Sequence, residues 1–488
     1  MPTSTEFERE LHERIAHEEV RLVKPADLAN LFCNTFRPSP KARLLLHALH
    51  NKLLRQTIEH AQRTTRYYSQ EVYRAWCETD PGQPPDLTCW PIIRRQEVMD
   101  HFDDFLANDV RHQSVCHTSG STGPSLSIYK SIEELDFLWA YHNRLLQPTL
   151  QGLSSRALIL SFPNLYHGSP VRMPSPGKVL VSGVTDDTLI HDALNILRKS
   201  YNFPGYDSRV SIISGLVLYV RFFTNFLLEQ GIDPRGLGVR TLIIVGEYLS
   251  RLVRRVLSES WSALVLERFS LTESAAGANR CVKCGHFHFD PHVVAEVVDV
   301  DTGEPLEEGV GSLLLTQLYP FVQMQPLIRY DTGDLVCKIP SDCSVMTTFD
   351  FLGKKANCIG WKVGERTQWL CFSVDLYEIV NEIADINVFD ALKNVRSVKD
   401  TTVGSRQIFV QETAFDEAAN QFLIKLVFEL RYSPYCYPDR VAEIGDQITN
   451  GLRNASPALA RCLDEKSVRL DLRFVSPGTL EESHRVKI

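Results

Sequence analysis

The chain has 488 residues, 44% hydrophobic and 23% charged, with a net charge of −8 and a pI near 6.0. At roughly 100–200 residues per domain, two or three folding units are expected. The acidic balance argues against a nucleic-acid partner, which needs a basic face. No run reaches about 18 uninterrupted apolar residues, so a membrane span is not expected.

The first twenty residues are polar and Glu-rich, without the apolar core of a signal peptide. Apart from one close pair, the twelve cysteines are scattered. Reduced thiols or a metal site are expected ahead of a disulfide framework, and a cytoplasmic enzyme follows. Residues 1–110 read as mostly helical, with apolar residues at helical spacing from Leu44 to Ile58 and a short helical run at Glu97–Asp104.

From about 115, short apolar runs alternate with amphipathic helices. Strands are expected at Ala157–Phe162, Val179–Ser182, Val210–Ile213 and Thr241–Val245, and helices at Asp192–Lys199 and Leu216–Glu229. The implied fold class is α/β: a large N-terminal domain (1–352) of mixed sheets flanked by helices. Its β-rich subdomain would begin near 293, with strands at Val293–Val300, Gly311–Thr316 and Leu335–Ile339. A small mobile α+β domain (353–488) would follow, with strands Gln407–Gln411, Leu423–Tyr432 and Val468–Val475 and helices Ser373–Ile383 and Asp439–Asn454.

Four segments carry chemistry. Thr118-Ser119-Gly120-Ser121-Thr122-Gly123 offers hydroxyls and freely turning backbone N–H groups to an anion, or is a flexible surface turn. Gly246-Glu247 follows an apolar run and suits a crevice at a strand end, or a capped turn. In Phe269-Ser270-Leu271-Thr272-Glu273, the hydroxyl of Thr272 and the carboxylate of Glu273 suit a triphosphate and its Mg²⁺; a capped helix start reads equally well. Asp334, in Tyr330-Asp331-Thr332-Gly333-Asp334-Leu335, could accept from two ribose hydroxyls, or the segment is a β-turn. Cys281-Val282-Lys283-Cys284-Gly285-His286-Phe287-His288 is a metal knuckle, with Cys281, Cys284 and His288 as ligands and Cys343 or Cys337 as a fourth, or a set of reduced thiols.

In this order, the four segments resemble the acyl-adenylate-forming superfamily of acyl-CoA synthetases, luciferases and adenylation domains. Within it the chain looks most like the phenylacetate–coenzyme A ligase branch. Thr118–Gly123 is similar to its phosphate loop, Gly246-Glu247 to its adenine segment, Phe269–Glu273 to its aromatic-Gly-x-Thr-Glu motif and Tyr330–Leu335 to its Tyr-x-Thr-Gly-Asp-Leu motif. Glu296–Thr316 and Pro326–Leu335 extend the likeness, which covers roughly 45–360 well and the remainder loosely.

The resemblance implies ATP-dependent conversion of a small carboxylic acid to its acyl-AMP, with release of pyrophosphate. Coenzyme A, a carrier-protein phosphopantetheine or an amine would then accept the acyl group, and a homodimer is left open. Residues 118–123 would hold the β- and γ-phosphates, Thr272 the α-phosphate, Glu273 Mg²⁺, Gly246 and Glu247 the adenine, with Phe269 and Ser270 beside them, and Asp334 the ribose. Structural Zn²⁺ would bind Cys281, Cys284, His288 and, favoured by the resemblance, Cys343. The acid would lie near Tyr166, His167, Ser214 and Gly215, and a hinge near Gly353-Lys354-Lys355. Two departures stand out. Pro124 occupies the place of the phosphate-loop lysine, and no Gly-Lys pair follows Pro477-Gly478, leaving Lys487 and then Arg485 as candidates for the C-terminal catalytic lysine. They motivate an alternative, a catalytically weak partner protein of the same fold that binds nucleotide or acyl-adenylate.

Overall fold

The structure, a computed structural model, describes residues 40–70, 73, 85–118, 125–134, 156–163, 177–388 and 410–480. A long helix, α1 (Pro40–Thr64), is followed by the short α2 (Arg95–Asp100) and a hairpin of β1 (His112–His117) and β2 (Ser127–Ser131). Of the expected helical lead-in, residues 1–39 lie outside the described residues, and the described part holds one long helix, α1. Between residues 85 and 110 the chain makes only short helical turns, interrupted by Ile93, which bridges to Tyr330.

The layered part follows as β3 (Leu158–Phe162), β4 (Lys178–Val181), α3 (Asp187–Arg198), β5 (Val210–Leu216), α4 (Val217–Glu229), β6 (Thr241–Val245), α5 (Arg251–Trp261) and β7 (Leu264–Ser270). Strands covered on both faces read as unbroken apolar runs, as do Leu158-Ile159-Leu160 of β3, which pairs in parallel with β4 and β5, and Leu242-Ile243-Ile244 of β6, which pairs in parallel with β5 and β7; both runs are buried throughout. Helix α4 buries Val220, Phe223, Phe226 and Leu227 at three- and four-residue spacing, and the indole of buried Trp261 on α5 donates to Thr224 at 2.8 Å.

The β-rich stretch comprises β8 (Gly277–Arg280), β9 (Phe287–Phe289), β10 (Val293–Val298), β11 (Gly309–Gln317), β12 (Tyr330–Lys338) and β13 (Thr348–Lys354). These strands are hydrogen-bonded onto the same sheet as the parallel set, in the order β10-β11-β12-β13-β9-β8-β7-β6-β5-β3-β4. The sheet changes from parallel to antiparallel pairing between β7 and β8.

The remaining elements are the hairpin β14 (Ile359–Val363) and β15 (Arg366–Cys371), α6 (Ser373–Asn381), β16 (Val410–Asp416), β17 (Gln421–Glu429), α7 (Pro438–Ala455), α8 (Pro457–Asp464) and β18 (Val468–Val475). Strands β16–β18 form their own three-stranded sheet, and residues from Ile359 to Val468 build a separate apolar core. No described helix is long and apolar enough to cross a membrane.

This C-terminal part is tied to α5. Glu378 on α6 is buried, accepts from the Tyr248 hydroxyl at 2.7 Å, and accepts from the Arg251 backbone N–H at 3.0 and 3.1 Å. Its neighbour Asp375 is raised to about 6 by burial, with Arg251 opposing the shift and Glu378 adding to it. A carboxyl raised above its unfolded value of 3.8 weakens the fold once it ionises, so the penalty is absent below about pH 4 and complete above about pH 6. Asp375→Asn is therefore expected to raise stability by about 1–2 kcal/mol at pH 8, after discounting for partial exposure, and by nothing at pH 4, as read by urea unfolding at the two values.

Candidate active site

The carboxyl ends of β6 and β7 open onto a cavity of about 650 Å³, the place where open α/β sheets take ligands. Thr118, Gly246, Glu247, Phe269, Ser270, Thr272, Glu273 and Asp334 all line it. Three separated stretches of chain meet there because β12 and β7 belong to one sheet, while Ile93, ahead of α2, pairs with Tyr330.

Gly246 ends β6 with φ of 79°, a left-handed conformation that glycine adopts without strain, and a Cβ there would lie 2.7 Å from Leu216 of β5. Residues 272–273 form a turn and no helix follows, which excludes a helix-capping role for Thr272. The Tyr330 hydroxyl donates to Glu273 at 3.3 Å, and the Arg95 guanidinium stands 3.7 Å from the same carboxylate. Burial, then the Glu273 charge, pushes the Tyr330 phenol well above its ordinary range, so it remains a donor. Tyr330–Leu335 is strand, with Gly333 at φ 71° and an irregular register to β11, rather than a β-turn.

Asp334 is 1% exposed, and Lys354, directly across the ladder on β13, places its ammonium 2.6 Å from Oδ1. Neither carboxylate oxygen accepts a well-directed hydrogen bond, so Oδ2 is left without a donor among the described residues. Burial raises the Asp334 carboxyl, with Lys354 opposing; at Lys354 burial is the largest single influence and lowers it, but the charge and contact of Asp334 together with the Glu273 charge outweigh burial and keep the ammonium protonated. A buried carboxylate with an unsatisfied oxygen beside a cavity is a site for a neutral donor such as a sugar hydroxyl.

The ligand atoms of Cys281, Cys284, His288 and Cys343 lie within 4.8 Å of one another. The Cys281 and Cys343 sulfurs are 3.6 Å apart, far beyond a disulfide bond and close to the edge of about 3.7 Å that a tetrahedron with ~2.3 Å Zn–S bonds requires. Burial alone would raise the Cys281 thiol, but backbone N–H groups of Cys284 and Lys283 hold it below the usual range. Burial, with His286 adding, takes His288 down to about 4, so its imidazole is neutral, and Thr348 pairs with Nδ1 at 2.8 Å, leaving Nε2 toward the cluster. Cys337 lies on β12 outside this group. These donors fit zinc.

No family model matches the chain. Over 152 residues it is 30% identical to a phenylacetate-coenzyme A ligase of Thermus thermophilus, and over 145 residues 29% identical to one of Pseudomonas putida. These matches span about a third of the relatives' length, 34% and 33%, and 30% and 29% of this chain. The fold is similar to that of 2-hydroxyisobutyryl-CoA ligase in the postadenylation state with R3-HIB-AMP, at a TM-score of 0.60 and 14% identity over 93% of this chain and 90% of that one. An open conformation of that ligase with 2-HIB-AMP and CoA superposes with the same score over 91% of this chain and 90% of the other. The chain thus shares the fold of an acyl-CoA ligase and, over about a third of their length, is similar to two phenylacetate-coenzyme A ligases.

Some of the residues singled out from the sequence lie elsewhere. Ser214 and Gly215 sit within β5, between β3 and β6, with Gly215 packed against Phe162, and they do not line the cavity. Ser119, Gly120, Ser121, Thr122, Gly123, Pro124, Tyr166, His167, Arg485 and Lys487 fall outside the described residues. Sequence reasoning missed Arg95, whose guanidinium donates to Thr118 Oγ1 at 2.9 Å, and the cleft positions of Lys354 and Lys355. Lys355 pairs with Asp331 at 2.8 Å. A doubled cation directly after Gly353, where β13 ends, was their one visible signal.

Cys343→Ser is expected to lower bound zinc, measured by elemental analysis of purified protein, from about one equivalent to well below it. The same variant should lower the melting temperature, since structural zinc contributes folding energy directly.

Proposed function

We propose that this chain activates a carboxylic acid with ATP and passes the acyl group to coenzyme A. The observation that carries the reading is the convergence of Thr118, Glu273 and Asp334 on one cleft. The unsatisfied Oδ2 of Asp334 would accept from the ribose hydroxyls, and Gly246 and Glu247 would border the adenine beside Phe269 and Ser270. Thr272 would meet the α-phosphate, and the hydroxyl-rich segment beginning at Thr118 the outer phosphates. Glu273 is the carboxylate that would hold Mg²⁺; one protein carboxylate is enough, because that ion takes its other ligands from phosphates and water. Bound there, it would neutralise charge on the phosphates.

The chemistry needs positioning and charge neutralisation more than covalent help. A carboxylate oxygen of the acid bonds to the α-phosphorus, the bond to the bridging oxygen breaks, and pyrophosphate leaves. The thiolate then attacks the acyl carbon and AMP departs. The names of the similar proteins, phenylacetate-coenzyme A ligase and 2-hydroxyisobutyryl-CoA ligase, favour coenzyme A over a carrier protein or an amine. We place the boundary between the large unit and a small C-terminal unit at residues 353–357. Gly353 has φ of 122°, and a Cβ there would fall 1.8 Å from the Ser373 hydroxyl, so the join tolerates glycine alone. Zinc at the Cys/His cluster is structural in this reading.

A panel of aryl and short aliphatic acids, assayed for pyrophosphate release with and without coenzyme A, tests the reading. Turnover is expected with a subset of acids, and Asp334→Asn should reduce it about 10–100-fold, the loss of one or two charge-assisted hydrogen bonds. ATP binding without pyrophosphate release across the panel would favour a nucleotide-binding protein that does no chemistry.

A further inference from the structure

We infer that Glu378, on α6 of the C-terminal part, is a positioning residue for the cleft: it holds Tyr248 in the cleft wall together with the start of α5. The inference rests on reading the cleft as a nucleotide site. Its starting point is that Tyr248 belongs to both sides. Tyr248 lines the cavity, and its ring lies 6.3 Å from that of Phe351, another lining residue. The same ring meets Tyr377 of α6 edge-on at 6.0 Å.

Residues 246–250, which lead from β6 to α5, are neither strand nor helix. Side-chain bonds therefore decide where this turn sits. Ser250 accepts from the Val253 N–H at 3.3 Å and caps α5 from within, and the Leu249 N–H reaches Glu267 Oε1 at 3.3 Å. The closer holds come from α6. The Tyr248 hydroxyl donates to Glu378 Oε1 at 2.7 Å, and the Arg251 N–H donates to both Glu378 oxygens at 3.0 and 3.1 Å.

The chemistry of both bonds favours a carboxylate. Arg251 is the first residue of α5, where a helix offers an N–H without an intrahelical acceptor and the positive end of its dipole. Burial, then the Glu378 charge, pushes the Tyr248 phenol well above its ordinary range, so it remains a donor. The Arg251 guanidinium is mostly exposed and 3.8 Å from Oε1, and adds little. One buried carboxylate thus fixes two points of the same turn, and its loss would free the ring that walls the cleft.

A second carboxylate joins the C-terminal part to the β-rich strands and supplies a control. Asp301, between β10 and β11, accepts from the Thr367 N–H at 2.6 Å and from the Thr367 hydroxyl at 2.8 Å, with the Lys362 ammonium at 3.3 Å. Thr367 and Lys362 lie on the β14–β15 hairpin, and Asp301 does not line the cavity.

The test is a double-variant cycle read by calorimetric binding of AMP and ATP to the full chain. Tyr248→Phe keeps the ring and removes the hydroxyl; it is expected to weaken AMP about three- to tenfold, and Glu378→Ala about tenfold or more. The two changes remove one shared bond, so the double variant should bind AMP no more weakly than Glu378→Ala alone. Asp301→Ala cuts the other contact and should leave AMP within about twofold. Tyr248→Phe carries the test if Glu378→Ala melts early. Unchanged AMP affinity in folded Tyr248→Phe, losses that multiply in the double variant, or an equal loss in Asp301→Ala overturns the inference, while AMP binding by the wild type keeps the underlying reading. A wild-type chain that binds neither AMP nor ATP overturns both.

Discussion

A carboxylate buried to 1% exposure, with a lysine at one oxygen and no well-directed donor at the other among the described residues, is the constraint around which the cleft is organised. Burying that charge is costly unless it is paired and hydrogen-bonded, and here the pairing is only half complete. Register supplies the half that exists, because Asp334 and Lys354 face each other across the β12–β13 ladder and a slip by one residue would turn both away. A ligand hydroxyl would supply the rest. A buried, incompletely satisfied polar group therefore marks where stability has been exchanged for binding.

The continuous sheet does the assembling. β7 ends its parallel half and carries the chain into the turn with Thr272 and Glu273, β12 brings Tyr330 and Asp334 from the antiparallel half, and the Ile93 bridge hangs the Arg95–Thr118 region on β12. Charges inside the cleft are matched locally, Arg268 with Asp290 and Glu267 with Arg254 and Arg280. Arg280 also donates to the Gly285 carbonyl at 2.7 Å and covers the ring of Phe287, which joins the Cys/His knuckle to the cavity wall. The knuckle is thus a brace for one side of the cleft.

Much of this was readable from residues alone, for identifiable reasons. The strand Thr241–Val245 shows because a buried parallel strand is apolar throughout, and Val468–Val475 because it is bounded by polar turns. The cysteine spacing pointed to a knuckle, the resemblance favoured Cys343 over Cys337 as its fourth member, and the fold brings Cys343 to it. Other features depend on contacts far apart in sequence. Nothing near Arg95 signals that a single bridge to Tyr330 will bring it to Thr118 and Glu273. The resemblance placed Ser214 and Gly215 by the acid, and the structure sets them within β5, paired to β3 and β6 and away from the residues that line the cavity. The segment Tyr330–Leu335 has turn-like composition, yet ladder pairing on both sides holds it extended, with Gly333 absorbing the irregularity.

The central claim is that one cleft receives the whole nucleotide. A crystal structure of the protein with a non-hydrolysable ATP analogue and Mg²⁺ tests it most directly. The account predicts both ribose hydroxyls within about 3 Å of the Asp334 carboxylate, with the metal on Glu273 and the phosphates running toward Thr118. Nucleotide bound at another surface, with Asp334 still facing Lys354 alone, would contradict it.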